Sequence, residues 1–211
     1  AGRRCLVVGG GRVAERKIAL LLACDAEVEV VSPTTTKKIT ELAVRNAIRL
    51  TRRPVGPADL TRAFLVFAAT DDAQVNRTVA EEVRGTGGLV NVADAQEACN
   101  FLVPAVVRQG GLTIAISTAG GSPALAKRLR QRLEATIGPE YEAFLGALRQ
   151  LRAQARQTIS DPAERQALYR RAVDSDLFEH AARGDQVAVA ACIADLLRRT
   201  VDTRANAREA G

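Results

Sequence analysis

The sequence predicts an α/β protein: a doubly wound parallel sheet in the first half, followed by an all-helical segment. Three observations carry this. Short apolar runs alternate with amphipathic helical stretches from residue 5 to residue 92. The first run leads through a turn of the form Gly9-x-Gly11-x-x-Ala14 into a helix. From Glu140 to about Arg199 the apolar spacing is helical throughout.

Residues 5–26 form the opening unit. An apolar strand ends at the glycine turn, and a helix follows with Val13, Ile18, Leu21 and Leu22 on its apolar stripe. Arg12, Glu15, Arg16 and Lys17 fall on its polar face. Each small residue of the turn has a physical job. Gly9 permits the tight turn, Gly11 lets the backbone approach a pyrophosphate, and Ala14 lets the helix pack close to the sheet. The free N–H groups and the dipole at the helix start then hold the phosphates. In this strand–turn–helix context the motif reads as a Rossmann-type dinucleotide site. The plain alternative is a tight turn without a ligand.

A second strand, residues 27–31, ends in Ser32-Pro33-Thr34, where many NAD-binding units carry an acidic residue for the ribose. None stands here. Ser32 and Thr34 can hydrogen-bond a ribose, and Lys37 and Lys38 can tolerate a phosphate, so these residues leave NAD and NADP both open. Thr34 to Thr36 can cap a helix carrying Ile39, Leu42 and Ala43. A short strand at 48–51 follows, then a loop at 52–63 with Pro54, Gly56 and Pro57 as breakers. The apolar run 64–68 is of buried-strand type and ends at Ala69-Thr70-Asp71-Asp72. A helix with Val75, Val79 and Val83, a turn at 85–88 and a strand at 89–92 complete the sheet, ending at Ala93-Asp94. Gly9, Ser32, Thr70 and Asp94 each follow the carboxyl end of a strand, so they share the rim where open parallel sheets bind ligands. Thr70, Asp71 and Asp72 serve equally well as a helix cap, and Asp94 as a solvated loop carboxylate.

Residues 95–111 read as a connecting segment, with a buried turn at 100–104. A strand at 112–116 runs into Ser117-Thr118-Ala119-Gly120-Gly121-Ser122-Pro123, with Ser122 as N-cap and Pro123 at the first helical position. The helix at 124–135 has Leu125, Leu129 and Leu133 on one face and Lys127, Arg128, Arg130 and Arg132 on its basic side. Helical breaks fall near 160–162 and 183–185, and residues 201–211 read as a frayed tail.

The 211-residue chain is 47% hydrophobic, enough for a sizeable core, and only 3% aromatic. Its net charge of +6 and pI near 9.6 suit an anionic partner. Scarce aromatics argue against base stacking with nucleic acid. No apolar run is long enough for a membrane span, and no signal peptide is visible. Four scattered cysteines, without metal-ligand spacing, suit a reducing cytoplasm and read as small buried hydrophobes. The chain holds no Met, so the sequence is expected to begin inside a longer natural one. Its one histidine, His180, lies in the helical segment and reads as surface or cap, which leaves no histidine base on the rim.

The series VVGGGRVAERKIALLL, VVSPT, FAATDD, NVADAQEACNFLVPA and STAGGSPALAKRLRQRLE, in this order and spacing, resembles the precorrin-2 dehydrogenase/sirohydrochlorin ferrochelatase family, including the N-terminal half of sirohaem synthases. The resemblance implies NAD-dependent oxidation of precorrin-2 to sirohydrochlorin, a tetrapyrrole ringed with carboxylates. In bifunctional members it implies insertion of ferrous iron as well. It also implies a homodimer. The domains expected are an NAD-binding domain at 1–112, a dimerisation segment at 113–147 and a helical domain at 148–211. Arg12, Val13, Pro33 and Thr34 match positions that contact NAD; Gly9, Gly11, Ser32, Thr70 and Asp71 join them as expected cofactor-binding residues from the glycine turn and the strand ends. Asp94 matches the aspartate held important for dehydrogenation and is the expected general base. Thr118, Gly120, Ser122, Lys127 and Arg128 are the expected substrate-binding residues, Thr118 standing where some relatives have serine. Arg108 and Arg130 join Lys127 and Arg128 as candidates to offset the substrate's charge, and a solvated helix face is the alternative for these cations. Methylation is expected to fall to a separate protein. A reading from a different class is an NAD-binding regulatory module without turnover.

Overall fold

The structure, a computed structural model, describes the backbone of residues 1–209 and the side chains through Thr200. The chain divides into two compact units, Ala1–Val103 and Pro104–Gly211.

The first unit is built on five parallel strands: β1 (Arg4–Val8), β2 (Glu27–Val31), β3 (Arg49–Thr51), β4 (Leu65–Ala68) and β5 (Leu89–Val92). They lie in the order β3-β2-β1-β4-β5. Helices α1 (Arg12–Leu22), α2 (Lys37–Val44), α3 (Pro57–Leu60) and α4 (Ala73–Gly85) connect them. Strand residues alternate between two cores. Cys5, Val7, Val28, Val30 and Phe67 join Ala14, Ile18 and Ile39 on one face. Leu6, Val8, Val66, Val90 and Val92 join Val79, Ala80 and Val83 on the other. Covering both faces is why β1 and β4 read as continuous apolar runs rather than as alternations. Strand order reverses between β1 and β4, and there the connections leave to opposite sides and open a crevice.

The segment 52–63 is not all loop. Pro57 sits at the first position of α3, and Asp59 reaches back to the Gly56 N–H at 2.8 Å. Arg53 bonds the same carboxylate and holds its pKa below the ordinary carboxylate range.

The second unit opens with a hairpin of β6 (Ala105–Gln109) and β7 (Leu112–Ile116), paired antiparallel. The stretch read as a connecting segment therefore holds a strand. Its signal was the pair Gly110-Gly111, a two-residue hairpin loop with Gly110 at φ +53°. A boundary at residue 112 would cut this hairpin, and compactness divides the chain at 103/104 instead. Helices α5 (Pro123–Thr136), α6 (Glu140–Thr158), α7 (Pro162–Val173), α8 (Leu177–Ala182) and α9 (Gln186–Glu209) follow. Leu151, Ile159, Leu168, Leu177 and Ile193 are fully buried among α6 to α9. Asp161 and Asp185 cap α7 and α9 through the N–H groups of Ala163 and Ala188, each at 2.9 Å. The break before α8 is not visible in the apolar spacing; there Ser175 Oγ donates to the Ala172 carbonyl at 2.8 Å. Helical backbone covers most of the stretch expected to fray, while its side chains beyond Thr200, and residues 210–211, lie outside the described residues.

Of the four cysteines only Cys5 is buried; Cys24 is exposed and Cys99 and Cys192 are half-buried, and none is in a disulfide. His180 is half-buried in α8. No described helix is long and apolar enough to cross a membrane.

Candidate active site

At the carboxyl ends of β1, β2 and β4 lies a cleft of about 410 Å³. Gly9, Gly10, Gly11, Ser32, Pro33, Thr34, Thr35, Thr36, Ala69, Thr70, Asp71 and Asp72 line it. This size falls within the range of small-molecule sites.

The three glycines of the turn do different work. Gly9 has φ +116°, a conformation open to glycine, and a Cβ there would stand 2.3 Å from the Ala69 carbonyl oxygen. A Cβ on Gly10 would stand 2.0 Å from the Thr34 carbonyl oxygen and 2.9 Å from Ser32 Oγ. The Thr36 N–H also donates to the Gly10 carbonyl at 2.9 Å, so the β2 end is sewn to the turn. A Cβ on Gly11 would meet no protein atom within 4 Å. Nothing in the protein itself asks for glycine at 11. Gly11 is the N-cap of α1 and offers no side chain to the helix's first N–H groups. That amino end therefore carries open donors and the positive end of the helix dipole toward the cleft, the arrangement that binds phosphates. Arg12 and Val13 form its first turn, Arg12 exposed and Val13 half-buried; neither lines the cleft.

On the opposite wall Thr70 is locked by Asn76, a buried residue missed in the sequence reading. Asn76 Oδ1 accepts from the Thr70 hydroxyl at 2.8 Å, and its amide donates to the Thr70 carbonyl at 2.9 Å. Asp72 caps α4 through Gln74 and Val75 N–H, so the cap reading holds for Asp72. Asp71 is exposed at the cleft. Ser32 is buried and donates to the Thr34 carbonyl at 2.7 Å, which makes it part of the wall's frame.

Asp94 does not line this cleft. It is exposed, one turn past β5, with φ +59°. The loop after it is folded back onto β5. Asn100 exchanges bonds with Val90 (Val90 N–H to Oδ1, 2.8 Å; Asn100 N–H to the carbonyl, 3.1 Å), and the Asn91 amide donates to the Phe101 carbonyl at 3.1 Å. Two asparagines thus fix the turn that presents the carboxylate.

Lys17 departs from the polar face assigned to it. It lies half-buried, with Nζ 3.1 Å from Asn91 Oδ1 and 4.8 Å from the Phe67 ring centroid. Burial pushes its pKa down from the ordinary lysine value, helped by Arg16 and opposed by Cys99 and Asp94. The ammonium and the Asp94 carboxylate therefore feel each other's charge. Only the periodicity of α1 bore on Lys17 in the sequence, and it pointed outward.

The five residues expected to bind substrate belong to the second unit. Thr118 Oγ1 accepts from the Ser122 N–H at 3.1 Å, and Ser122 Oγ accepts from the Leu125 N–H at 3.2 Å, as an N-cap. Gly120 has φ +83°. Lys127 and Arg128 are exposed on α5. Among the described residues no group of three or more His, Cys, Asp or Glu side chains stands together.

Residues 1–105 match a family of putative NAD(P)-binding domains. A solved structure of the precorrin-2 dehydrogenase SirC superposes over 93% of this chain and 95% of its own with a TM-score of 0.75, at 30% sequence identity. This chain belongs to the precorrin-2 dehydrogenase/sirohaem synthase family. Residues 109–136 of this family member match the central part of sirohaem biosynthesis proteins, and residues 140–197 the sirohaem synthase dimerisation region. Sirohaem synthase of Methylococcus capsulatus is 38% identical over 85% of the chain, and that of Methylobacillus flagellatus 37% identical over 88%. The chain spans about two fifths of the length of these curated relatives, 38% and 40%.

Proposed function

We propose that this chain oxidises precorrin-2 to sirohydrochlorin with NAD, in sirohaem biosynthesis. The observation that carries the reading is the uncapped amino end of α1 facing a cleft at the strand-order reversal, with Gly11 open beside it. Bound NAD supplies the hydride acceptor. The amides at the start of α1, those of Arg12 and Val13 among them, hold its pyrophosphate, and Pro33 and Thr34 border it. Gly9 and Gly10 keep the turn low, and Thr70 and Asp71 form the wall across from it. Oxidation removes a hydride and a proton from the substrate. Asp94 takes the proton as general base, on a turn fixed by Asn91 and Asn100. Thr118, Gly120, Ser122, Lys127 and Arg128 serve the carboxylate-rich substrate.

The active species in this reading is a homodimer. Leu125 is 48% exposed and Leu129 36% exposed on α5, an apolar face in need of cover. Sedimentation at micromolar concentration should give twice the chain mass. Four cysteines outside any disulfide suit the cytoplasm. Ferrous iron enters only as a second substrate, tested separately by a chelatase assay with sirohydrochlorin.

An anaerobic assay of precorrin-2 with NAD, following sirohydrochlorin absorbance, tests the main reading. Turnover is expected, with Asp94→Asn slower by about 10²- to 10⁴-fold. Tight NAD binding without turnover would instead support the regulatory module. Wild-type rates in Asp94→Asn would remove Asp94 as the base.

A further inference from the structure

Beside the β2 end of the cleft, bonded to a residue that lines it, stands a positive charge where dinucleotide sites selective for NAD carry a negative one. This inference rests on reading the cleft as the cofactor site. No Asp or Glu occurs between Ser32 and Thr40. A carboxylate at the end of the second strand binds the ribose 2′-hydroxyl and repels a 2′-phosphate, whereas an arginine nearby accommodates that phosphate. Arg52 is such an arginine. It directly follows β3, which pairs with β2 so that Thr51 stands beside Val31. The Ser32 N–H donates to the Thr51 carbonyl at 3.1 Å, which brings Arg52 next to the β2 end.

Its guanidinium is held in place. Nη1 donates to Thr35 Oγ1 and Nη2 to Thr40 Oγ1, each at 2.9 Å, and the two hydroxyls are 3.1 Å apart. Thr35 itself lines the cleft. Three neighbouring cations have carboxylate partners: Arg49 with Glu29 at 2.8 Å, Arg53 with Asp59 at 2.7 Å and Lys37 with Glu41 at 3.8 Å. The bonds described for Arg52 go to neutral hydroxyls, so its charge is not offset. Two of five N–H groups are used, and three remain for an acceptor. An arginine oriented in advance loses less freedom on meeting a phosphate than a free one.

We propose that Arg52, steadied by Thr35 and Thr40, forms a 2′-phosphate subsite, so that the cleft accepts NADP as well as NAD and Arg52 sets the ratio between them. Calorimetric titration of the full chain with NAD and with NADP tests this. The dissociation constants are expected to lie within about tenfold of each other. Arg52→Ala should raise the NADP/NAD ratio of dissociation constants at least tenfold, and Arg52→Asp further, with thermal melts confirming that both variants fold. A wild-type preference for NAD above a hundredfold would overturn the inference, as would a ratio unmoved by Arg52→Ala. Binding of neither dinucleotide would overturn the cleft reading itself, a result distinct from NAD binding without NADP binding.

Discussion

Two glycine-bearing turns lead from a strand into a helix, and they treat the helix's first N–H groups in opposite ways. In the first unit β1 enters α1 through Gly9-Gly10-Gly11, and no side chain caps the helix. In the second unit β7 enters α5 through residues 117–122, and the hydroxyls turn inward. Ser117 Oγ accepts from the Ala119 N–H, Thr118 Oγ1 from Ser122 and Ser122 Oγ from Leu125. Both look alike as sequence: polar or small residues, glycines, then a helix. What separates them is whether the donors at the helix start are already satisfied. The first turn leaves them open, while the second satisfies its own N–H groups and that of Leu125 with hydroxyls, with Ala119 at φ +49° as the strained residue of that arrangement.

The comparison can be broken most severely at Gly10. A Cβ there meets backbone on the β2 side at 2.0 Å, and neither wall can yield cheaply. Gly10→Ala should destabilise the first unit by about 3 kcal/mol, seen as a lowered denaturant midpoint, and abolish dinucleotide binding with it. Gly11→Asp should do the reverse. It supplies α1 with the kind of cap that Ser122 gives α5, in a space free of protein atoms. Stability should hold or rise by about 0.5 kcal/mol, while NAD affinity falls at least about tenfold from charge repulsion. Calorimetry and thermal melts on one sample separate the two effects. Unchanged NAD affinity would mean that the amino end of α1 is not the phosphate site.

Ser122→Ala tests the second turn. Losing the bond to the Leu125 N–H should cost about 1 kcal/mol in thermal unfolding. A control away from both turns is Glu29, whose side chain is only 17% exposed and is bonded by Arg4 at 2.8 Å and by Arg49 at 2.8 Å. The Arg4 hydrogen bond, aided by the charges of Arg4 and Arg49, holds its carboxyl below the ordinary value against the effect of burial. A carboxyl with a lower pKa folded than unfolded stabilises fully above its unfolded value and loses this as pH falls through the folded one. Glu29→Gln should therefore cost about 1 kcal/mol at neutral pH. Wild type and variant should converge in acid, as read from urea midpoints across pH.

The fold was legible because its signals are local. Apolar runs at β1, β4 and β5 and the glycine turn demand little beyond their neighbours. The same holds for the caps at Thr36, Asp72 and Ser122, each of which bonds an N–H two or three residues away. What escaped were features that depend on distant partners. Lys17 reads as a polar-face residue until Asn91, far along the chain, offers it an oxygen. Asn76 reads as an ordinary helical polar residue until it is seen to hold Thr70. Arg52 became informative only when β3 was paired with β2. The cleft lining was legible in part: Gly9, Gly11, Ser32 and Thr70 follow strand ends, but the crowding that makes Gly10 indispensable comes from a carbonyl of another strand's loop.

The left-handed backbone at Asp94 narrows the alphabet of that position. Glycine, asparagine and aspartate enter this conformation readily, and other residues lose about 1 kcal/mol in doing so. Asparagine keeps the shape and removes the charge; glycine keeps the backbone and removes the side chain. A saturation library at residue 94 therefore sorts itself: variants that fold without strain fall into a small set, and within that set only the carboxylate can accept a proton. Shape and proton-accepting chemistry can here be scored on separate axes.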